Sequence, residues 1–224
     1  MEGNNDIQVI AWSEFTEPES VYPTGIHGCL ADHLNSCQGV TASVSSIEDP
    51  DQGVSEEQLE SADVLIWFGH VKHGDVADTS VERIVKYVKE NGLGFLGLHS
   101  THFARPFKAL METECSFRAY VENGTKGDIK VVAPDHPIAA GVSDFTIPRV
   151  EWYGEPYAVP KAETVVLAGV YDNYTELTRD GLAWTVENGR VFYLRPGHET
   201  FPIYHMPEVK KIVENAVRWL AKAT

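Results

Sequence analysis

One apolar segment of this chain leads directly into a group of polar side chains. Residues 94–98 (Gly-Phe-Leu-Gly-Leu) are all apolar or small, and His99-Ser100-Thr101-His102 follow them at once. A continuous apolar run of this length is typical of a parallel β-strand that helices cover on both faces. Open parallel sheets bind ligands just beyond the carboxyl ends of their strands. We therefore expect a binding site around His99.

Strand-like runs alternate with helical patterns in the first half of the chain. Residues 7–12, 40–47 and 63–70 have β-strand character, and patterns of helical period follow near 26–34, 55–60 and 81–88. Strands that alternate with helices indicate an α/β domain with a parallel sheet.

The pattern changes after residue 111. Residues 129–133, 145–152 and 163–170 are strand-like and separated by prolines, which predicts a β-rich insertion. Asn188-Gly189 indicates a hairpin, and a helix from Pro207 closes the chain. We predict that residues 1–224 form a single domain: a flavodoxin-like three-layer sandwich with a mostly parallel sheet and a β-rich insertion.

Composition argues against several classes of partner and site. The 18 basic and 33 acidic residues give a net charge of −15, which disfavours nucleic acid. No run of 18 apolar residues and no leader-like start is present, so we expect a cytoplasmic protein without a membrane partner. The three cysteines (Cys29, Cys37 and Cys115) have no CxxC spacing, which argues against a disulfide framework or a thiolate zinc site.

Histidines follow each of the strands whose carboxyl ends should lie at one edge of the sheet. They are His27, His70, His73, His99, His102 and His198, the last followed by Glu199. Imidazole is a common ligand of zinc, and a catalytic metal needs about three protein ligands and an open position. A histidine can equally serve as a general acid or base toward a sugar hydroxyl or a carbonyl. The sequence leaves both uses open.

We assign three roles within this group, beside the alternative that a single histidine is usually a structural polar group. The expected ligands of a divalent metal, zinc or similar, are His70, His99 and His198. The expected substrate-binding residues are His27, His73 and His102. The expected catalytic residues are Glu151, Tyr153 and Glu199, although Glu151 could also form an ordinary ion pair on an edge strand.

The chain lacks the motifs of nucleotide-binding proteins and of enzymes with a serine or cysteine nucleophile. No GxGxxG follows the first strand and no GxxxxGK[ST] is present. Residues 97–101 resemble the strand-to-helix setting of a nucleophile elbow, G-x-S/C-x-G, but His99 stands in the nucleophile's position.

Several segments together resemble the ThuA-like, or trehalose utilisation, family. They are residues 63–73, 97–103, 135–141, 151–155, 189–193 and 196–199. The resemblance implies the fold of class I glutamine amidotransferases, and Gly197-His198-Glu199 is similar to the His and Glu that complete the amidotransferase triad. Amidotransferases carry a cysteine at the elbow, whereas here all three cysteines lie elsewhere, so we do not expect a cysteine glutaminase.

Two functional hypotheses follow from these residues and this resemblance. The first is an enzyme that acts on a sugar or keto-glycoside in a histidine-rich cleft by metal-assisted acid–base chemistry, without a cysteine nucleophile. The second is a non-catalytic carbohydrate-binding or regulatory protein. Both imply a small-molecule carbohydrate as partner, and both leave a homo-oligomer open.

Overall fold

The computed structural model describes residues 6–222, in which a nine-stranded sheet lies between two groups of helices. The strands are β1 Ile7–Ser13, β2 Val40–Ser46, β3 Val64–Phe68, β4 Gly94–Leu98, β5 Phe117–Val131, β6 Phe145–Tyr157, β7 Thr164–Tyr171, β8 Thr178–Val186 and β9 Gly189–Leu194. The α-helices are α1 Gly25–Asn35, α2 Glu56–Ser61, α3 Asp78–Lys86, α4 Arg105–Met111 and α5 Pro207–Leu220.

Five neighbouring strands form a parallel half in the order β2-β1-β3-β4-β9. This is the strand order of flavodoxin-like sheets. Every residue of β3 and β4 is buried, which agrees with their continuous apolar sequences. The carboxyl ends of these strands meet at one edge, as we expected from the sequence.

The other half of the sheet continues from β9 in the order β8-β7-β5-β6, and all of its neighbouring strands are antiparallel. The predicted β-rich insertion is therefore present, but it extends the same sheet. The expectation of a mostly parallel sheet was wrong. The inserted strands β5 and β6 have 15 and 13 residues, so that most of the paired residues are antiparallel.

The helices cover the two faces of the sheet and produce three layers. Helices α1 and α5 pack on one face, where Ile26, Leu30 and Ile212 have no exposed surface. Helices α2, α3 and α4 pack on the other face around Trp67 and Phe107. Each such large apolar side chain contributes roughly 1.5–3 kcal/mol through burial. The rigid layers hold the loops that follow the strands in fixed positions.

Among the helices within residues 6–222, none combines the length and the apolar character that a membrane span requires.

Candidate active site

His99 lies at the turn between β4 and the short 3-10 helix His99–Phe103 that follows it. Its φ is +47°, a left-handed conformation that is uncommon for a residue with a Cβ. The side chain is buried, and a Cβ on Gly197 would lie 2.5 Å from the His99 Cβ. Only glycine at 197 leaves room for His99. A strained, tightly enclosed position of this kind is a frequent property of functional sites.

The imidazole of His99 is oriented on both sides. Nδ1 lies 3.0 Å from the carbonyl oxygen of Arg195, and because a carbonyl only accepts, Nδ1 carries a proton. Nε2 then lies 3.1 Å from Oε2 of Glu151 and 3.0 Å from the hydroxyl of Tyr153. The rings of His99 and Tyr153 are stacked, with centroids 4.8 Å apart. Three predicted site residues from β4 and β6 therefore meet at one point.

A buried arginine that we assigned no role supports this arrangement. Arg195 pairs with Asp180 at 2.7 Å, donates to the hydroxyl of Thr178 at 2.9 Å, and donates from Nη1 to the carbonyl oxygen of Tyr153 at 2.6 Å. It thus connects the backbone of β6 with the segment that holds His99. Its partner Asp180 lies 15 positions away on β8, so no local pattern indicated the pair.

The atoms of His99, Glu151 and Tyr153 are close enough to exchange protons. Burial raises the pKa of Glu151, but its contacts with His99, His198 and Tyr153 lower it by more, so the net pKa lies below its ordinary value. Burial and the Glu151 charge raise the pKa of Tyr153, so its phenol keeps its proton at neutral pH. Nε2 of His99 lies 3.1 Å from Oε2 of Glu151, a distance at which one proton can pass between them. Glu151 therefore stays ionised beside two proton-bearing groups.

His198 lies next to this group and has the opposite tautomer. Its Nδ1 accepts from the backbone N–H of Thr200 at 3.0 Å, so a neutral ring carries its proton on Nε2. That nitrogen lies 3.4 Å from Oε1 of Glu122 and 3.8 Å from Oε2 of Glu151. Burial and the charge of His99 lower the pKa of His198 to about 4. At neutral pH it is an uncharged donor that faces two carboxylates.

A series of polar contacts continues from His198 toward the surface. Oε1 of Glu199 lies 3.3 Å from Nδ1 of His198, and Oε2 of Glu199 lies 3.5 Å from Nε2 of His70. Glu199 is buried, whereas the His70 side chain is 32% exposed. The structure thus brings together all three predicted ligands and all three predicted catalytic residues along one edge.

A divalent metal fits this donor set only in part. Donor atoms of His99, Glu151 and His198 lie within 4.8 Å of one another, whereas His70 is not in that group. A histidine that binds a metal usually donates its other ring N–H to an acceptor, and His99 does so, because its Nδ1–H is held by a carbonyl oxygen while Nε2 faces the other donor atoms. His198 does not, because the N–H of Thr200 holds the lone pair on Nδ1 and leaves Nε2 protonated. Binding there requires a change of tautomer.

Two buried glutamates to which we assigned no role from the sequence follow β1 in the chain. Glu14 accepts from the backbone N–H groups of Val71 and Lys72 at 2.7 and 2.8 Å, and its other oxygen lies 3.7 Å from Nδ1 of His73. Glu17 accepts from the backbone N–H of Ile26 at 3.1 Å, at the start of α1. Glu14 thereby orients the segment that carries His73, and Glu17 orients the start of α1, which carries His27. Their sequence context, a long loop after β1, gave no signal of burial.

Burial lowers the pKa of the imidazoles of both His27 and His73. Their predicted contact with substrate remains a prediction: His27 lies in the first turn of α1 and contacts Phe15, and His73 follows β3 and lies near Glu14.

His102 is enclosed by aromatic rings. It has no exposed surface, its Nδ1 donates to the carbonyl oxygen of His99 at 3.1 Å, and the Tyr120 ring is stacked on it at 5.5 Å. Burial lowers its pKa to about 3. In this position His102 supports the turn that carries His99. The contact of His102 with substrate remains a prediction. Tyr120, which is 38% exposed, presents the outer face of this group.

The thiol of Cys115 does not resemble an activated nucleophile. It is fully buried and contacts Thr113. Burial raises its pKa to about 11, so it is protonated at neutral pH.

Comparisons with known proteins agree with this fold. The family model described as ThuA, trehalose utilisation, matches residues 12–220. A ThuA-like protein from Bacteroides uniformis is similar in structure, with a TM-score of 0.72, 18% identity, and coverage of 98% of this chain and 93% of that one. A cytoplasmic protein from Salmonella typhimurium gives 0.64 at 15% identity, with 96% and 99% covered.

A glutamine amidotransferase from Thermotoga maritima gives a TM-score of 0.61 at 11% identity, with 98% and 100% of the two chains covered. At such identities these likenesses concern the fold alone. No curated protein of similar sequence was found.

Proposed function

This chain belongs to the ThuA (trehalose utilisation) family, and we propose that it is an enzyme that moves protons on a carbohydrate at the site of Glu151, His99 and Tyr153. The observation that carries the proposal is the contact of His99 Nε2 with both Glu151 Oε2 and the Tyr153 hydroxyl, at 3.1 and 3.0 Å. A carboxylate, an imidazole and a phenol in mutual contact can take, store and return a proton.

The three groups differ in their access to a ligand, which suggests separate roles. Glu151 is the outermost, with 14% of its side chain exposed, whereas His99 and Tyr153 lie beneath it and are almost completely buried. Glu151 would therefore contact the substrate as general base or acid. His99 would hold the transferred proton, and Tyr153 would keep both in position.

The family name supports a carbohydrate as the substrate class. Hydroxyl groups of a sugar suit the surroundings of Glu151, where Glu122 and His70 present exposed acceptors and donors. The partly exposed Tyr120 ring offers a face on which a sugar ring could stack. Glu151 is ionised at neutral pH, but a carboxylate with a lowered pKa is a weak base and can remove only an activated proton, such as one on the carbon next to a ketone. A keto-glycoside is therefore the preferred candidate.

A divalent metal is a second element of the proposal. His99 and Glu151 would hold it, and His198 would join them after a change of tautomer. When bound, the metal would polarise a carbonyl or hydroxyl oxygen of the substrate. The orientation of His99 by the Arg195 carbonyl oxygen supports this use.

Turnover of a panel of sugars tests the proposal. Trehalose, methyl glucosides and their 3-keto derivatives are incubated with tag-free protein, either treated with chelator or supplied with zinc or manganese, and products are followed by chromatography. We expect conversion of a keto-glycoside by the wild type and none by Glu151→Gln. Conversion that survives chelation would remove the metal from the proposal and leave the proton-transfer site.

A non-catalytic carbohydrate-binding protein is the alternative. Calorimetry that detects binding of these sugars without any turnover, with metal restored, would support it and contradict the enzyme. The cytoplasmic location and the oligomeric state remain predictions.

A further inference from the structure

A histidine, a cysteine and a glutamate meet at the junction of α1 and α5, outside the candidate active site. His33 lies in the last turn of α1, Cys37 follows that helix, and Glu214 lies in the middle of α5. One ligand atom from each of the three lies within 4.8 Å of the other two. All three side chains are partly buried, so the cluster is enclosed yet reachable from solvent.

The distances are close to those of a tetrahedral metal site. Sγ of Cys37 lies 3.9 Å from Nε2 of His33. Metal–sulfur and metal–nitrogen bonds of zinc place two such ligands about 3.5 Å apart. The observed separation therefore exceeds that of two zinc ligands by only about 0.4 Å.

The protonation states of His33 and Glu214 also suit a metal. Burial and the Lys210 charge lower the pKa of His33, so its imidazole is neutral at pH 7. Burial raises the pKa of Glu214, but Arg218 and Lys211 lower it by more, so the net pKa is below its ordinary value and the carboxylate is ionised. Arg218 donates from Nε and Nη2 to one Glu214 oxygen, and Lys211 donates to the other oxygen, which keeps a lone pair to spare. These cations fix the carboxylate as outer-shell partners fix a ligand.

The segment that carries Cys37 is itself held against α5. Arg218 donates from Nη2 to the carbonyl oxygen of Gln38 at 2.9 Å, and Sγ of Cys37 lies 3.4 Å from the carbonyl oxygen of His33. The thiol is therefore held by the backbone of α1, and the segment that follows it is held by a side chain of α5.

We propose that His33, Cys37 and Glu214 bind a divalent transition-metal cation of the zinc class, with water in the fourth position. The thiol loses its proton to solvent when the sulfur–metal bond forms. The bound ion would link α1 to α5 and stabilise the fold. The lack of CxxC spacing argued against a thiolate zinc site, and no local pattern indicated this one, because Glu214 lies 177 positions after Cys37 on another helix.

Cobalt titration tests the proposal, since a thiolate bound to Co²⁺ gives a charge-transfer band in the near ultraviolet that histidine and carboxylate ligands do not give. We expect tag-free, chelator-stripped wild type to show this band with one equivalent of Co²⁺ and to lose it when Zn²⁺ is added. Cys37→Ser should lack the band. Cys29→Ser, Cys115→Ser and Glu151→Gln should retain it, which separates this site from the candidate active site.

A saturated wild-type protein without the band, or a band that persists in Cys37→Ser, would overturn the proposal. Should Cys37→Ser fail to fold by circular dichroism, His33→Gln provides the second variant: we expect its apparent Co²⁺ affinity to fall on the order of tenfold or more. Zn²⁺ should also raise the melting temperature of the wild type more than that of His33→Gln. Equal shifts would count against the site.

Discussion

The imidazole of His99 is held by the backbone of Arg195, through a hydrogen bond of 3.0 Å from Nδ1 to the carbonyl oxygen. The Arg195 side chain, in turn, donates to the backbone of Tyr153 at 2.6 Å. One buried residue therefore positions both groups that contact Glu151. The arrangement of His99 and Tyr153 therefore depends on the buried ion pair of Arg195 with Asp180.

Replacement of Arg195 by methionine should destabilise the fold. It leaves the carboxylate of Asp180 buried without its partner, which typically costs about 3–5 kcal/mol. Urea denaturation measures the change. Lys130→Met is the matched control, because Lys130 and Asp144 form an exposed pair whose loss should cost about 0–1 kcal/mol. Similar losses in the two variants would contradict the role of Arg195.

Glu151→Gln and Glu122→Gln should have very different effects on turnover. Both carboxylates face Nε2 of His198, but only Glu151 contacts His99, and Glu122 is 62% exposed. We expect kcat to fall on the order of 10²-fold or more for Glu151→Gln and less than about tenfold for Glu122→Gln. Equal reductions would show that the contact with His99 has no special part in the reaction.

Gly197→Ala should disturb the His99 turn. Its Cβ would lie 2.2 Å from the Tyr204 hydroxyl and 2.5 Å from the His99 Cβ, so the backbone or the imidazole must move. Overpacking of this kind costs about 1–3 kcal/mol. Thermal unfolding and kcat should both report it. Gly74→Ala, where an added Cβ meets nothing within 4 Å, should change neither, and a comparable loss there would contradict the steric explanation.

Stability should decrease as the pH falls below about 6.5. Burial lowers the pKa of His102 to about 3, and burial with the charge of His99 lowers that of His198 to about 4, both from 6.5. Between these values the unfolded chain binds protons that the folded chain excludes, so the stabilisation present above pH 6.5 is lost toward pH 3 to 4.

Melting temperatures from pH 8 to pH 4 measure this effect. Carboxylates contribute to every curve, so the comparison is made with His102→Asn, which should show a shallower decline below pH 6.5. Parallel curves for the two proteins would contradict the assignment.

The parallel half of the fold was predictable because its strands are buried on both faces. Residues 63–70 and 94–99 therefore appear as apolar runs that end in histidine, and the structure places both ends at the same edge. The convergence of His70, His99 and His198 followed from that one pattern. Apolar residues at helical period between these runs predicted the helices that cover the two faces of the sheet.

The antiparallel half was less predictable, and the strand segments that were not predicted there contain site residues that were missed. Strand β5 has register shifts on both sides of Thr125 and contains Asn123-Gly124 and Gly127, which indicate turns, so only its end at 129–131 had a strand-like pattern. Tyr120 and Glu122 lie in the part that was missed. Glu151 was found because β6 was predicted as far as residue 152. Ion pairs between distant strands, such as Arg195 with Asp180, leave no local signal.

Deuterium incorporation tests the proposed proton transfer most directly. A 3-keto-glycoside is incubated in D₂O with wild-type protein or with Glu151→Gln, in the presence of zinc or manganese, and the sugar proton next to the ketone is followed by NMR. We expect this signal to disappear with the wild type, by exchange or by conversion, and to persist with Glu151→Gln. A signal that persists with the wild type across the panel of keto-glycosides, or disappears equally fast with both proteins, would contradict proton transfer at Glu151.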